Sequence, residues 1–129
     1  MMRVLVTGDR NWEDKFLVSV VLRGFQTISE DRFDEVFHVI QGGAKGADEA
    51  AREWCMSRPS VESVTVEAEW DKHGKAAGPL RNIKMFEDHD PEFVLAFHDD
   101  LESSKGTKHC VQEALKRGLV VYRFGTGGL

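Results

Sequence analysis

Gly42, Gly43 and Gly46 fall within five positions of one turn, Gly42-Gly43-Ala44-Lys45-Gly46-Ala47-Asp48, set between an apolar run ending at Ile40 and a helical pattern over 47–56. Residues without a Cβ let the chain turn tightly and come close to a ligand. A helix starting there aims free N–H groups and its positive dipole end into the turn, which suits a phosphate or a carboxylate. Two more junctions have this character, Thr7-Gly8-Asp9-Arg10-Asn11-Trp12 and Ser103-Ser104-Lys105-Gly106-Thr107. Between them, the stretch from Trp70 to Asn82 adds Lys72, Lys75 and Arg81. Glycines, cations, small hydroxyls and two tryptophans together point to an anionic ligand with an aromatic part.

Each element also has a plainer reading. Ser104 to Thr107 is a helix start with a hydroxyl cap. Asp48 is a first-turn acid stabilising its helix dipole. Trp70 and Trp12 either stack on a ligand or fill the core, and Trp54 reads as core. Arg81 and Asn82 fall in a first helical turn, where an arginine opposes the dipole; a bound anion would explain it, and solvent exposure is the alternative. The Asp99-Asp100 pair reads as a solvated loop. The functional reading rests on three such junctions reaching one rim.

The elements that would gather them alternate from end to end. Strands are expected at Arg3–Thr7, Phe37–Ile40, Val61–Glu67, Phe93–Phe97 and Leu119–Phe124. Helical periodicity covers Trp12–Ile28, with Phe16, Val20, Leu22 and Phe25 among its apolar positions, then Glu49–Met56 and Thr107–Arg117, which Gly118 stops. A polar loop is expected after Trp70 through Gly78, with Pro79 opening a helix to about Glu87. This order calls for a parallel sheet with helices on both faces. The fold class is α/β, a Rossmann-like three-layer sandwich with a five-stranded parallel sheet in order 3-2-1-4-5. Residues 1–124 form a single domain and 125–129 a loose tail. Ligands of such sheets bind at the carboxyl ends of the strands, where the order reverses, and the singled-out residues lie at those ends.

Composition narrows the field. With 129 residues the chain is one domain, and 41% hydrophobic with 30% charged residues is ordinary for a soluble globular protein. A net charge of −5 argues against duplex nucleic acid as a partner, though a local pocket can still be positive. No apolar run is long enough for a membrane span. Cys55 and Cys110 lack metal-ligand spacing and read as reduced thiols of a cytoplasmic protein. His38, His73, His89, His98 and His109 show no metal spacing either, so no metal is expected. The G-x-G-x-x-G and G-x-x-x-x-G-K-[ST] patterns are both missing, so neither NAD nor an ATP-hydrolysing P-loop is predicted, and no cofactor is expected.

Taken together, Val6-Thr7-Gly8-Asp9-Arg10 with Trp12, Gly42 to Asp48, Trp70 with Gly74 to Asn82 and Met85, and Gly106-Thr107 resemble the SLOG superfamily, named for the Smf/DprA and LOG proteins. Within it the chain looks most like the small YspA-like group. The resemblance implies a Rossmann-like domain binding a nucleotide or nucleotide-derived ligand at the glycine-rich rim. Members occur in phage genomes and bacterial conflict systems, so a host-cytoplasm setting is expected if the source is a phage.

LOG enzymes are phosphoribohydrolases that cleave the base from ribose 5′-monophosphate, pairing an Arg in R-K-x-x-M with a Glu in P-G-G-x-G-T-x-x-E. Here Arg81-Asn82-Ile83-Lys84-Met85 keeps the Arg and Met, but Ser103-Ser104 replace Gly-Gly and Cys110 stands at the Glu. A carboxylate near the ribose would stabilise an oxocarbenium-like transition state, and a thiol does not. Glu113, one turn on, is a substitute candidate. Three functions follow: a nucleotide binder or sensor, a LOG-like N-glycosidase, and a DprA-like DNA-interacting protein, which the acidic charge disfavours. In the binder, Gly8, Gly42, Gly43, Gly46, Gly106 and Thr107 shape the pocket, with amides of the Gly42–Gly46 turn and of the helix near Gly106 on the phosphate. Arg10, Lys45 and Arg81 supply charge, with Asn82 beside them. Asp9 or Asp48 holds ribose hydroxyls, and Trp70 stacks on the base. In the enzyme, Arg81 acts with an acid drawn from Asp9, Asp48, Asp99 and Glu113. The apolar Trp12–Ile28 helix is a candidate homodimer face or a core helix.

Overall fold

The computed structural model describes residues 2–33 and 36–126. Five strands, β1 (Met2–Gly8), β2 (Phe37–Gln41), β3 (Val61–Thr65), β4 (Phe93–Phe97) and β5 (Val120–Phe124), form one sheet in the order β3-β2-β1-β4-β5. Every pairing is parallel, with Leu5 level with Ile40 on one side and with Val94 on the other. The helices are α1 (Lys15–Phe33), α2 (Ala47–Met56), a short α3 (Trp70–His73), α4 (Ala77–His89) and α5 (Gly106–Lys116). The α/β class and strand order match the sequence expectation.

Period-two alternation distributes the central strands between two cores. Val4, Val6, Val39, Leu95 and Phe97 point to one face, where Val18 and Leu22 of α1 and Ala47, Ala51 and Trp54 of α2 cover them. Leu5, Ile40 and Val94 point to the other, under Met85 and Phe86 of α4 and Cys110 and Ala114 of α5. Because β1 is buried on both sides, it reads as an unbroken apolar run.

Several boundaries differ from the sequence reading. Helix α1 starts at Lys15, not Trp12, because Asp14 Oδ1 accepts the Leu17 amide at 3.0 Å and caps the first turn. Trp12 precedes the helix and packs edge-on against Phe97, with ring centroids 5.7 Å apart, so it is core. The apolar face of α1 runs through Val18 and Leu22, while Phe16, Val20 and Ile28 are exposed. The supposed polar loop after Trp70 is helical, as α3 and a 3-10 turn over Gly74–Ala76 leading into α4. The Glu69 carbonyl accepts the amides of Lys72 and His73, and its carboxylate lies 3.4 Å from His73 Nε2. Pro79 sits in the first turn of α4, where no amide partner is required. Gly118, at φ 73, ends α5 as expected. Of the tail, 127–129 lie outside the described residues. No helix among the described residues is long and apolar enough to cross a membrane.

Candidate functional site

A cleft of about 560 Å3 opens at the carboxyl ends of β1 and β4, where the strand order reverses. The chain turns that leave the strands bring together Gly8, Asp9, Arg10, Asp48, Trp70, Arg81, Asn82, Gly106 and Thr107, all singled out in the sequence. Thr7, Asn11, Ala44, His98, Ser103, Ser104 and Lys105 complete the wall. Of these, His98 and Asn11 gave no sequence signal beyond their place at strand ends. Arg10 and Lys105 are exposed, and Trp70 keeps 59% of its surface exposed at the mouth.

Gly42, Gly43, Lys45 and Gly46 do not line the cleft. Three amides of the turn expected to cradle phosphate are already engaged: Asp48 Oδ2 accepts from Gly42 N–H at 3.1 Å and Ala44 N–H at 3.3 Å, and Gln41 Oε1 accepts from Gly43 N–H at 2.5 Å. These glycines build the turn instead. Gly46 has φ 76, and a Cβ there would strike the Asp9 carbonyl. Gly42 is glycine for a different reason: the Arg81 guanidinium lies over its Cα, where a Cβ would fall on Nη1 and Cζ. Gly8 is also confined, by the Phe97 carbonyl and the Ala47 methyl.

Arg81 is the organising cation. Its Nη1 donates to Gly42 O at 2.5 Å and its Nε to Asn82 Oδ1 at 3.0 Å. Gly42 therefore stands between opposite charges, its N–H on Asp48 and its carbonyl on Arg81. Asn82 is buried, and its Nδ2 donates to Gly106 O at 3.2 Å, which ties α4 to the start of α5. Ser104 Oγ accepts the Thr107 amide at 3.1 Å, so this junction is a hydroxyl-capped helix start as well as a cleft wall.

Asp48 is 6% exposed, and its Oδ1 has no hydrogen-bond partner. Burial raises its carboxyl from 3.8 to about 6, against the opposing pull of the Ala44 amide, Arg81 and the Gly42 amide. It is both turn-holding and in the cleft. Asp9 Oδ1 accepts the Asn11 amide at 2.9 Å, and its backbone carbonyl receives Trp12 and Ala47.

Cys110 is fully buried, and burial pushes its thiol up to about 12. Glu113 does not reach the cleft: it pairs with Arg117 Nη1 at 2.5 Å and Lys116 Nζ at 3.4 Å, and the Arg117 bond, ahead of the others, lowers its pKa. Asp99 is outside the lining too, its carboxylate on Thr126 N and Oγ1. Of the four candidate acids, only Asp9 and Asp48 reach the cleft. No group of three or more His, Cys, Asp or Glu suited to a metal ion occurs among the described residues.

A five-stranded parallel α/β sheet with a polar, aromatic-lipped cleft at its switch point defines a Rossmann-like domain. Residues 2–73 match the model of the YspA, cpYpsA-related SLOG family, and the chain belongs to that family. Over 97% of its length it is 41% identical to the Gene 61 protein of Mycobacterium phage D29, of which 98% is covered.

Proposed function

We propose that this protein binds a nucleotide or nucleotide-derived ligand in the cleft at the ends of β1 and β4. The observation that carries the reading is the pairing, in one cleft of about 560 Å3, of an exposed indole with cations and a helix start. Small-molecule sites span about 300–1,000 Å3, so a mononucleotide fits with room to spare. Trp70 offers a face to a base. Arg10, Arg81 and Lys105 supply charge for phosphate, and the positive dipole end of α5 adds to it, its Thr107 and Lys108 amides being taken by Ser104 Oγ. Gly42, Gly43 and Gly46 act from behind, holding Arg81 and Asp48 in place.

A second reading, cleavage of the bond between base and ribose phosphate, has one observation in its favour. Asp48 places a carboxyl with a pKa of about 6 in the cleft beside Arg81, and perturbed carboxyls of this kind suit acid–base work. Cys110 and Glu113 take no part in it. The two readings separate in one experiment: thermal stabilisation by nucleoside mono-, di- and triphosphates, cyclic nucleotides, ADP-ribose and NAD, followed by chromatography for free base. Saturable stabilisation without release supports the binder. Release that Asp48→Asn abolishes supports the hydrolase. A panel without any stabilisation or release overturns both.

A further inference from the structure

The Asn82 carboxamide can sit only one way round. Its Oδ1 faces Arg81 Nε, which only donates, and its Nδ2 faces Gly106 O, which only accepts. A flipped amide would set donor against donor and acceptor against acceptor. The second Nδ2 hydrogen points at His109 Nδ1, 3.2 Å away. That ring nitrogen must therefore accept, which places the proton of a neutral imidazole on Nε2. Nε2 lies 3.7 Å from Glu113 Oε1, beyond hydrogen-bond distance, and that carboxylate is held instead by Arg117 and Lys116. Neither His109 nor Glu113 lines the cleft.

We infer that His109 is a positioning residue that fixes Arg81 for anion binding through the Asn82 carboxamide. The chain runs from His109 on α5, across to Asn82 and Arg81 on α4, and on to the Gly42 carbonyl after β2. Its middle member also bonds Gly106, so one amide sets both the arginine and the first turn of α5. A residue that holds a neighbour's acceptor and donor in place lowers the reorganisation required when a ligand arrives. The inference rests on the reading of Arg81 as a cleft cation, and its test has an arm that does not.

The variants are His109→Leu, which removes the acceptor, and His109→Gln, whose side-chain oxygen can accept from Asn82. In the ligand-free protein, nitrogen-15 NMR should show the His109 ring with its proton on Nε2. The Arg81 Nε–H signal should shift and exchange faster with solvent in His109→Leu, and return toward wild type in His109→Gln. With AMP as probe, calorimetry should give affinity about tenfold weaker for His109→Leu, the size of effect expected from a residue coupled to a ligand it does not touch, with recovery in His109→Gln. A ring protonated on Nδ1, or an Arg81 signal indifferent to His109→Leu, overturns the relay whether or not AMP binds. If the wild type binds no AMP while the NMR results hold, the relay stands and the choice of ligand fails.

Discussion

A methyl group placed on Gly42 isolates the contact that ties the glycine turn to α4. Gly42 is not in the left-handed region, so alanine there meets no backbone penalty. Its Cβ instead coincides with the guanidinium of Arg81, 2.6 Å from Cζ and 3.0 Å from Nε. The guanidinium must leave, breaking its bonds to Gly42 O and Asn82 Oδ1. Hydrogen bonds to charged groups contribute about 1.5–3 kcal/mol each. Arg81 is only half-buried and recovers part of this from water, so Gly42→Ala should cost about 2 kcal/mol. In an Arg81→Ala background the space is empty, and the same methyl should cost under about 0.5 kcal/mol. Urea denaturation of the wild type, both single variants and the double variant measures this coupling. Equal cost in both backgrounds would refute the assignment, since the methyl would then be striking something other than Arg81.

Other expectations follow from the same geometry. Gly46→Ala combines a positive φ with a strike on the Asp9 carbonyl and should cost about 2–6 kcal/mol, whereas Gly24→Ala, in open space within α1, should add about 0.5–1 kcal/mol of stability; both are read by denaturation. Asp48 is raised from 3.8 to about 6, so its contribution to stability is fully present below pH 3.8 and lost as pH rises through 6. A shift of roughly two units is worth about 3 kcal/mol, so Asp48→Asn should flatten that part of the stability–pH curve, and an unchanged curve would contradict the burial argument. Thiols held at about 11 for Cys55 and about 12 for Cys110 should resist iodoacetamide at pH 8 until the protein is unfolded, as mass spectrometry of labelled peptides would show.

The alternation of apolar strands with amphipathic helices was enough to read the sheet, because a parallel sheet buried on both faces leaves little choice of topology. The same rule brought nine of the singled-out residues to one cleft. What was not legible is the use each residue makes of its hydrogen bonds. A glycine turn looks alike whether its amides face a phosphate or the Asp48 carboxylate, and only the three-dimensional path decides. Trp12 and Trp70 both follow strands, yet the cap on α1 leaves Trp12 against Phe97 while α3 carries Trp70 to the surface. Glu113 seemed to share a helix face with Cys110, but Arg117 one turn below holds it away from the cleft. The stretch after Trp70, whose glycines and lysines read as loop, is helical with the amides of Lys72 and His73 on the Glu69 carbonyl, a backbone pairing that composition does not reveal.

The measurement that tests the central claim most directly is calorimetric titration of the wild type and of Arg81→Ala with the nucleotide that stabilises it most. The account predicts saturable binding to the wild type and a loss of at least about tenfold in affinity when Arg81 is removed from a still-folded protein. Equal affinity in the two proteins would contradict it and move the ligand elsewhere on the molecule.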